Sequence, residues 1–278
     1  MRRAPVIFVI AALVAVGVLF GPYIWFVGKG VVYNAYNMAT ADAPNAVIEC
    51  GGDEPDLAGF RIEAPTDQPR ITPLSEDCGW RFTLHQGQPR VKAGFRTEMR
   101  THAAIYDHAT RYCFSVNLPE PWPDNSPIVT LAQWHAVPDR VLGEKGRSPP
   151  LRLQISNGVM ETAIMADPAR VTGAPFDGGD PPVYEVIAQT PAIWNAWSRW
   201  CFDAEWRAKG EGRVDVHLDG VTLAQHEGAL GYHDFSAPFF KFGVYVPGAD
   251  ETPGGIWRAE FKDVELLDIA FEPLLEAQ

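Results

Sequence analysis

Short alternating runs of apolar and polar residues constrain the fold of this chain more than any other feature. Seven runs read RYCFSVNLP, IVTLAQWHA, LRLQIS, WSRWCFDAEW, RVDVHLDGVTLAQH, FFKFGVYVP and WRAEFKDVELLD. Alternation with a period of two is typical of half-buried β-strands, and the Asp219-Gly220 pair inside one run is a strong hairpin signal. No amphipathic run of helical period stands out. The sequence therefore predicts an all-β sandwich of the β-jelly roll class, with a concanavalin A-like architecture, over residues 46–278.

The N-terminal segment differs from the rest of the chain. No charged residue occurs in Pro5–Val27, and two arginines precede this run. About 20 apolar residues are enough to span a bilayer, and the preceding positive charges favour a cytoplasmic N-terminus. A cleaved signal peptide is the alternative, because Ala39-Thr40-Ala41 has the small-x-small form, but the apolar run exceeds the ~7–15 residues usual for a signal peptide. We therefore expect a membrane anchor or signal segment over 1–30, preferably an uncleaved transmembrane helix, and a linker over 31–45.

Either interpretation of the N-terminus exports the remaining chain, to the periplasm or the extracellular side of the inner membrane. The four cysteines are Cys50, Cys78, Cys113 and Cys201. An even number in an exported protein permits disulfides, and we expect one or two, with Cys50–Cys78 favoured because both residues lie in loop-rich sequence. For Cys113, a role as a small buried residue inside a strand stays open. No C-x-x-C pair indicates a zinc site.

Charge and composition limit the class of partner. The net charge is −12, which argues against a nucleic-acid-binding protein but permits a local basic groove. Nine tryptophans among 12% aromatic residues are suited to a β-core and also to stacking on sugars. The sequence leaves the oligomeric state open, with a monomer expected.

Four of the expected strands carry one apolar face and one polar face, because side chains at i and i+2 share a face. The predicted polar faces hold Gln133 and His135 with Val129 and Leu131; Arg96, Glu98 and Arg100; Lys241, Gly243 and Tyr245; and Arg152 and Gln154. A sandwich with one wet side is the simpler interpretation. These faces, however, collect side chains that titrate or donate forked hydrogen bonds, so we predict a solvated groove floor, with Trp134 on the opposite, core side.

Three of these stretches also carry a family resemblance. RTEMR, QWH and FFKFGVY, in this order, resemble strands of the polysaccharide lyases of the heparin lyase I and glucuronan lyase type, and more distantly of alginate lyases with the same jelly roll. The resemblance covers about residues 90–268 and includes YCFSVNLPEPW, SPPLRLQISNG and IWNAWSRWCFDAEW. It implies β-elimination on an acidic, uronic-acid-containing polysaccharide without a required cofactor. It also permits a structural calcium ion, for which Asp263 is the candidate ligand.

β-Elimination requires donors that face the substrate carboxylate, since the C5 proton is not acidic until that charge is neutralised. Gln133, Arg96 and Arg100 fit this requirement. By resemblance, His135 and Tyr245 share the base and acid tasks, and the sequence does not assign which residue is which.

The remaining polar side chains complete the expected substrate-binding set. We expect Lys241 to hold a substrate carboxylate or sulfate, or to lower the pKa of Tyr245 by its charge. Arg152 and Gln154 share a face and are assigned to substrate binding, while Glu98 is expected to orient Arg96 or Arg100 through a salt bridge.

Two other classes of function remain open. A non-catalytic carbohydrate-binding module in the cell envelope requires the same groove without proton transfer. A glycoside hydrolase requires two carboxylates placed across the bond, whereas Glu98 is the only acid on the predicted floor. Val246 and Pro247 follow Tyr245 where related lyases often have a polar residue, which leaves the neighbouring subsite open. No G-x-S-x-G, P-loop or H-E-x-x-H motif occurs.

Overall fold

The computed structural model describes residues 27–41, 46–47, 60–66, 70–74, 78–85, 87–92, 94–122, 127–172, 183–247 and 255–271. The strands are β1 (Ala46–Val47), β2 (Arg61–Glu63), β3 (Ile71–Pro73), β4 (Gly79–His85), β5 (Gly94–Ala103), β6 (Ala109–Asn117), β7 (Val129–His135), β8 (Leu151–Ser156), β9 (Val159–Asp167), β10 (Val183–Pro191), β11 (Trp197–Arg207), β12 (Glu211–Leu218), β13 (Val221–Ala229), β14 (Gly231–Tyr232), β15 (Phe239–Pro247) and β16 (Ile256–Asp268). A helix, α1, covers 27–39, which includes the end of the expected anchor or signal segment, 1–30, and the first part of the expected linker, 31–45.

The strands form two eight-stranded sheets, which confirms the all-β sandwich. One sheet has the order β13-β12-β11-β6-β16-β4-β3, with β1 beside β16. The other, called the site sheet below, has the order β10-β9-β8-β7-β15-β5-β2, with β14 beside β9. Neighbouring strands are antiparallel except for β14 and β9.

All seven predicted runs are strands, and the pattern missed β9 and β10. The hairpin prediction is confirmed, because β12 and β13 pair on either side of Asp219 and Gly220. Both turn residues have positive φ, 49° and 79°, as a type I′ turn requires.

The expected membrane span lies outside the described residues, apart from its last position. Within the described part of the chain, no helix is both long enough and apolar enough to cross a membrane. The membrane anchor therefore stays a prediction.

Aromatic side chains fill the space between the two sheets. Trp134 has no exposed surface, and its ring centroid lies 4.8 Å from that of Phe202, 5.0 Å from Phe240 and 5.2 Å from Tyr112. Such offset and edge-on contacts stabilise the core beyond simple burial of apolar area. Trp134 thus faces the core, opposite to Gln133, as the alternation predicts.

Strict alternation fails in the first half of β7. The pairing of β7 with β8 shifts between Thr130 and Ala132, which marks a β-bulge at Leu131. An extra residue inverts the facing of everything before it. Val129 and Leu131 consequently belong to the core, so the prediction that they share the polar face of Gln133 and His135 is wrong. Thr130, predicted on the core side, pairs with Gln154 and Tyr245.

A disulfide joins the middle strands of the other sheet. Cys113 on β6 and Cys201 on β11 are direct cross-strand partners, with α-carbons 4.1 Å apart. Cys113 is therefore half of a cystine and not merely a small core residue. Cys78 is also disulfide-bonded, whereas its predicted partner, Cys50, lies outside the described residues.

Candidate active site

Three adjacent strands bring most of the predicted site residues together. β15 lies between β5 and β7 in the middle of the site sheet. Lys241 on β15 is opposite Arg100 on one side and Gln133 on the other. Four residues further along β15, Tyr245 is opposite Arg96. The order of the strands in the sheet therefore assembles residues that are as much as 149 positions apart in the chain.

Two glutamates connect these residues through a network of salt bridges. The ammonium Nζ of Lys241 lies 2.6 Å from Glu63 Oε2 and 3.4 Å from Glu98 Oε2. Nη1 of Arg96 lies 3.1 Å from Glu98 Oε2 and 3.4 Å from Glu63 Oε2. The side-chain amide of Gln133 donates to the other oxygen of Glu98 at 2.5 Å. The predicted salt bridge between Glu98 and Arg96 is thus confirmed.

The expectation that this face is solvated is wrong for most of the network. Gln133 is 0% exposed, Lys241 1% and Arg96 3%. Buried charges are stable only when they are paired and hydrogen-bonded, and the glutamates meet that requirement here. The floor is therefore a closed ionic layer, and only its neighbours meet solvent.

Glu63 is the site residue that the sequence did not predict. It comes from the short strand β2 and contacts Lys92 and Arg100 as well as Lys241 and Arg96. Burial alone would raise its pKa, but the ammonium groups of Lys241 and Lys92 outweigh burial and lower the pKa of Glu63 to about 2. The three-residue strand Arg61–Glu63 lies in loop-rich sequence, where alternation is too short to indicate a face.

His135 carries a neutral imidazole. Its Nδ1 lies 2.8 Å from the carbonyl oxygen of Ala136, which can only accept, so Nδ1 carries the proton and Nε2 keeps its lone pair. The imidazole stacks on Phe239 with ring centroids 5.2 Å apart. Burial, reinforced by the charge of Lys241, lowers the pKa of His135 to about 3. The side chain is therefore uncharged near neutral pH.

Tyr245 is positioned as a protonated phenol. The guanidinium of Arg96 lies 4.2 Å from its ring centroid. Burial raises the pKa of Tyr245, although Arg96 opposes that shift, so the expectation that Lys241 lowers this pKa is wrong. The absence of a side chain at Gly94 makes room for the ring, because a Cβ there would lie 2.5 Å from Cε2 of Tyr245.

His135 and Tyr245 lie at opposite ends of the buried network. His135 is level with Phe239, whereas Tyr245 is level with Thr130, five positions along β7. At about 3.3 Å per residue, their α-carbons are separated by roughly 16 Å along the strand.

The other predicted binding residues divide into accessible and enclosed groups. The side chain of Arg100 is 18% exposed and its guanidinium lies 4.7 Å from the Phe239 ring centroid. Arg152 is partly exposed beside Tyr184. Gln154, at 1% exposure, donates to Glu161 at 2.9 Å. Arg100 and Arg152 can therefore reach a ligand directly, whereas Gln154, like Lys241, is held beneath the surface.

Asp263 is far from this site in the topology. It lies in an irregular part of β16 in the other sheet, accepts a hydrogen bond from Ser115 and has Arg199 at its carbonyl oxygen. Calcium prefers six to eight oxygen ligands, and these contacts give it no support. Calcium at Asp263 stays a prediction.

One group of three potential metal ligands occurs among the described residues, namely Asp139, Glu144 and Asp234. Arg147 contacts Glu144 and Asp234, and Arg170 contacts Asp139. Arginine charges thus already balance these carboxylates, and the cluster ties together the loops around it.

Solved structures share this fold at low sequence identity. The chain is 15% identical to an endo-β-1,4-glucuronan lyase from the fungus Trichoderma reesei, with a TM-score of 0.54 over 74% of this chain and 93% of that one. The family 7 alginate lyase AlgAT5 is 12% identical, with a TM-score of 0.54 over 77% and 96%. The family 7 alginate lyase A1-II′, in a complex with the substrate GGMG, is 13% identical, with a TM-score of 0.54 over 79% and 96%.

No protein of curated function matches the chain. The sequence model of one family, described as polysaccharide lyase, matches residues 66–262. This segment contains β3 to β15, and hence every residue of the network and its two flanks except Glu63 on β2; Asp263 also lies just outside it. The match covers well over half of the chain and includes the paired strands β5, β7 and β15, so the chain belongs to the polysaccharide lyase family.

Proposed function

We propose that this lyase cleaves a uronic-acid-containing polysaccharide by β-elimination on the site sheet. The observation that carries the proposal is the pairing of a neutral imidazole, His135, and a protonated phenol, Tyr245, on either side of a cation-rich layer. The names of the structural neighbours, which act on glucuronan and alginate, agree with this class of substrate.

Neutralisation of the substrate carboxylate is assigned to the arginine side of the network. Arg100 presents its guanidinium at the surface, and forked donors bind carboxylates in a bidentate manner. Arg96 lies beneath it and adds positive potential, while the buried amide of Gln133 fixes Glu98 in the layer below. Preorganised donors of this kind stabilise the enolate-like intermediate without reorganisation during the reaction.

Proton transfer is assigned to the two flanking side chains. Nε2 of His135 removes the C5 proton, and the Tyr245 hydroxyl protonates the departing O4 oxygen. The bond between C4 and O4 breaks as the C4–C5 double bond forms, so no water or cofactor enters the reaction. The pKa directions support this division, because His135 is neutral and Tyr245 is protonated at neutral pH.

We also propose that the enzyme works in the cell envelope, anchored through Pro5–Val27 with the sandwich exported. The Cys113–Cys201 disulfide supports export, because disulfides persist in oxidising compartments. Alkaline carbonate extraction of membranes from expressing cells tests the anchor. We expect the full chain to stay with the membrane fraction, and complete release would contradict the proposal.

The test of activity measures the ultraviolet absorbance of the unsaturated uronate product. The full chain, in mild detergent, is incubated with glucuronan, alginate and heparin, and with a neutral glucan as the control polymer. We expect product with at least one acidic polymer and none with the glucan. Polysaccharide binding without product would instead support the carbohydrate-binding module, and new reducing ends without absorbance would support a hydrolase.

Two variants separate chemistry from binding. His135→Ala and Tyr245→Phe should each lower kcat at least about 100-fold, the scale of a positioned acid or base, while polysaccharide binding is retained. Tyr184→Phe removes the hydroxyl of a 49% exposed tyrosine on the same sheet and serves as the matched control. Full activity of Tyr245→Phe would remove the phenol from the mechanism.

A further inference from the structure

The helix α1 lies outside the segment that matches the family, yet it docks on the sandwich with one face. Its buried positions are Gly30, Asn34 and Asn37, whereas Val31 and Val32 are 49% and 69% exposed. Spacings of four and three residues place the buried positions on one side of a helix. Burial with helical periodicity shows that α1 packs against the domain and does not extend away from it as a tether.

The docking face binds the loop that directly follows His135. The side-chain amide of Asn34, 4% exposed, donates to the carbonyl of Pro138 at 3.2 Å and to Asp139 Oδ1 at 3.3 Å. Its oxygen accepts from the backbone N–H of Val141 at 3.3 Å. A buried amide with both ends satisfied fixes the position of its partner. Asn34 therefore holds the backbone only a few residues beyond the imidazole.

A second contact reaches the imidazole from its stacking side. Tyr33 packs against the cluster formed by Ala103, Val137 and Phe239. Phe239 in turn stacks on His135 and lies under the guanidinium of Arg100. The cluster contains residues at or directly beyond the ends of β5 and β7 and at the start of β15, so α1 covers the His135 end of the site.

We propose that α1 belongs to the lyase site and that its residues Asn34 and Tyr33 are positioning residues. They fix the position of His135 and exclude water from its imidazole. This inference rests on the proposed function, because it deepens the role of His135. The substrate end that lies over Phe239 would then meet α1, which forms a wall of the groove on that side.

The charged groups around His135 and Tyr33 influence the imidazole pKa that a titration of His135 would measure. Lys241, Arg96 and Glu63 act on the imidazole of His135. On the helix side, Arg140, Arg100, Asp234 and Arg147 act on Tyr33. Burial is the largest cause of the lowered pKa of His135, and the cations Lys241 and Arg96 lower it further. Water admitted to the imidazole would solvate its charged form and so raise this pKa.

Two glycines of α1 provide a matched test. A Cβ at Gly30 would lie 2.7 Å from the carbonyl carbon of Arg140 and from the nitrogen of Val141, whereas a Cβ at Gly28 would meet nothing within 4 Å. Alanine has a higher helix propensity than glycine at both positions, so neither change weakens the helix itself. Gly30→Ala therefore interferes with docking alone, and Gly28→Ala is its control. Asn34→Ala, which removes the hydrogen bonds to the loop, is the second variant.

The experiment uses the full chain and two readouts, kcat on the polymer that the wild type cleaves and the imidazole pKa of His135 by NMR. We expect Gly30→Ala and Asn34→Ala to lower kcat about 10- to 100-fold, the range for a misplaced catalytic group, and to raise the pKa of His135. Gly28→Ala should stay within twofold of wild type. Hydrogen exchange over 27–39 reports whether the helix has undocked.

The outcomes separate this proposal from the lyase assignment. If the wild type cleaves no polymer, a raised His135 pKa in Gly30→Ala and not in Gly28→Ala still supports positioning by α1. Rapid exchange of α1 with unchanged kcat and unchanged pKa would overturn it, as would increased activity, which would make α1 an inhibitory lid. Unchanged hydrogen exchange over 27–39 in both Gly30→Ala and Asn34→Ala would also overturn the proposal, because Gly30 and Asn34 would then not be needed to hold the helix on the sandwich.

Discussion

Removal of the charge on Glu63 is the perturbation with the clearest expected size. Glu63→Gln keeps the shape of the side chain but leaves Lys241 and Arg96 with Glu98 as their remaining buried carboxylate. The side chains of these four residues are at most 7% exposed. Two buried cations would then share one anion, and the loss of one partner from a buried pair typically costs about 3–5 kcal/mol.

The pKa of Glu63 gives a second estimate of the stability that Glu63→Gln would lose. Its value of about 2, compared with an ordinary 4.5, corresponds to about 3 kcal/mol of preferential stabilisation of the charged form. For a domain of this size, about 3 kcal/mol lowers Tm by roughly 6–12 °C. Both arguments place the effect well above that of a surface substitution.

The assay is thermal or denaturant unfolding of the full chain at several pH values. Because the folded pKa is depressed, the contribution of Glu63 is complete above about pH 4.5 and is lost as pH falls towards 2. The difference in unfolding free energy between wild type and Glu63→Gln should therefore be about 3 kcal/mol at pH 7. It should fall to less than about half of that at pH 3.

The matched control is Lys92→Gln, since Lys92 contacts the same carboxylate but its side chain is 63% exposed. Exposed ion pairs contribute about 0–1 kcal/mol, so this variant should unfold nearly like wild type. A Glu63→Gln difference below about 1 kcal/mol at pH 7, or one that does not change with pH, would refute the idea of Glu63 as the centre of the network.

Three further predictions concern pH, the disulfide and a glycine. Because the pKa of His135 is lowered to about 3, kcat/KM should show no acid limb from this residue between pH 5 and 7, and a limb near 6.5 that disappears in His135→Ala would contradict a lowered imidazole pKa. Paired replacement of Cys113 and Cys201 by serine opens a link across 88 residues and should cost about 4–5 kcal/mol by the chain-entropy relation, measured by denaturant unfolding. Gly243→Ala should lower soluble yield and Tm sharply, since Gly243 has φ 136° and a Cβ would lie 2.3 Å from the Thr97 carbonyl oxygen; a Tm within 2 °C of wild type would show that the strand adjusts.

The success of the sequence prediction follows from the information that alternation carries. Asp219-Gly220, Trp134 and the polar faces of β5, β8 and β15 are where the period of two places them. The prediction fails where one residue breaks the period. The bulge at Leu131 moved Val129 and Leu131 into the core, and no local sequence signal marks that position.

The sequence by itself determined the strand pattern, the hairpin, most of the division into core and polar faces, and the order of RTEMR, QWH and FFKFGVY on which the family resemblance rests. These are local properties, set by period and composition. Only the tertiary structure decided that the polar face is sealed. A carboxylate from the three-residue strand β2 pairs with Lys241 across the sheet, and α1 covers the end beside His135. Both features depend on contacts between segments that are far apart in the chain. The order of the strands in the sheet and the docking of the helix bring these segments together, and neither can be inferred from a local sequence pattern.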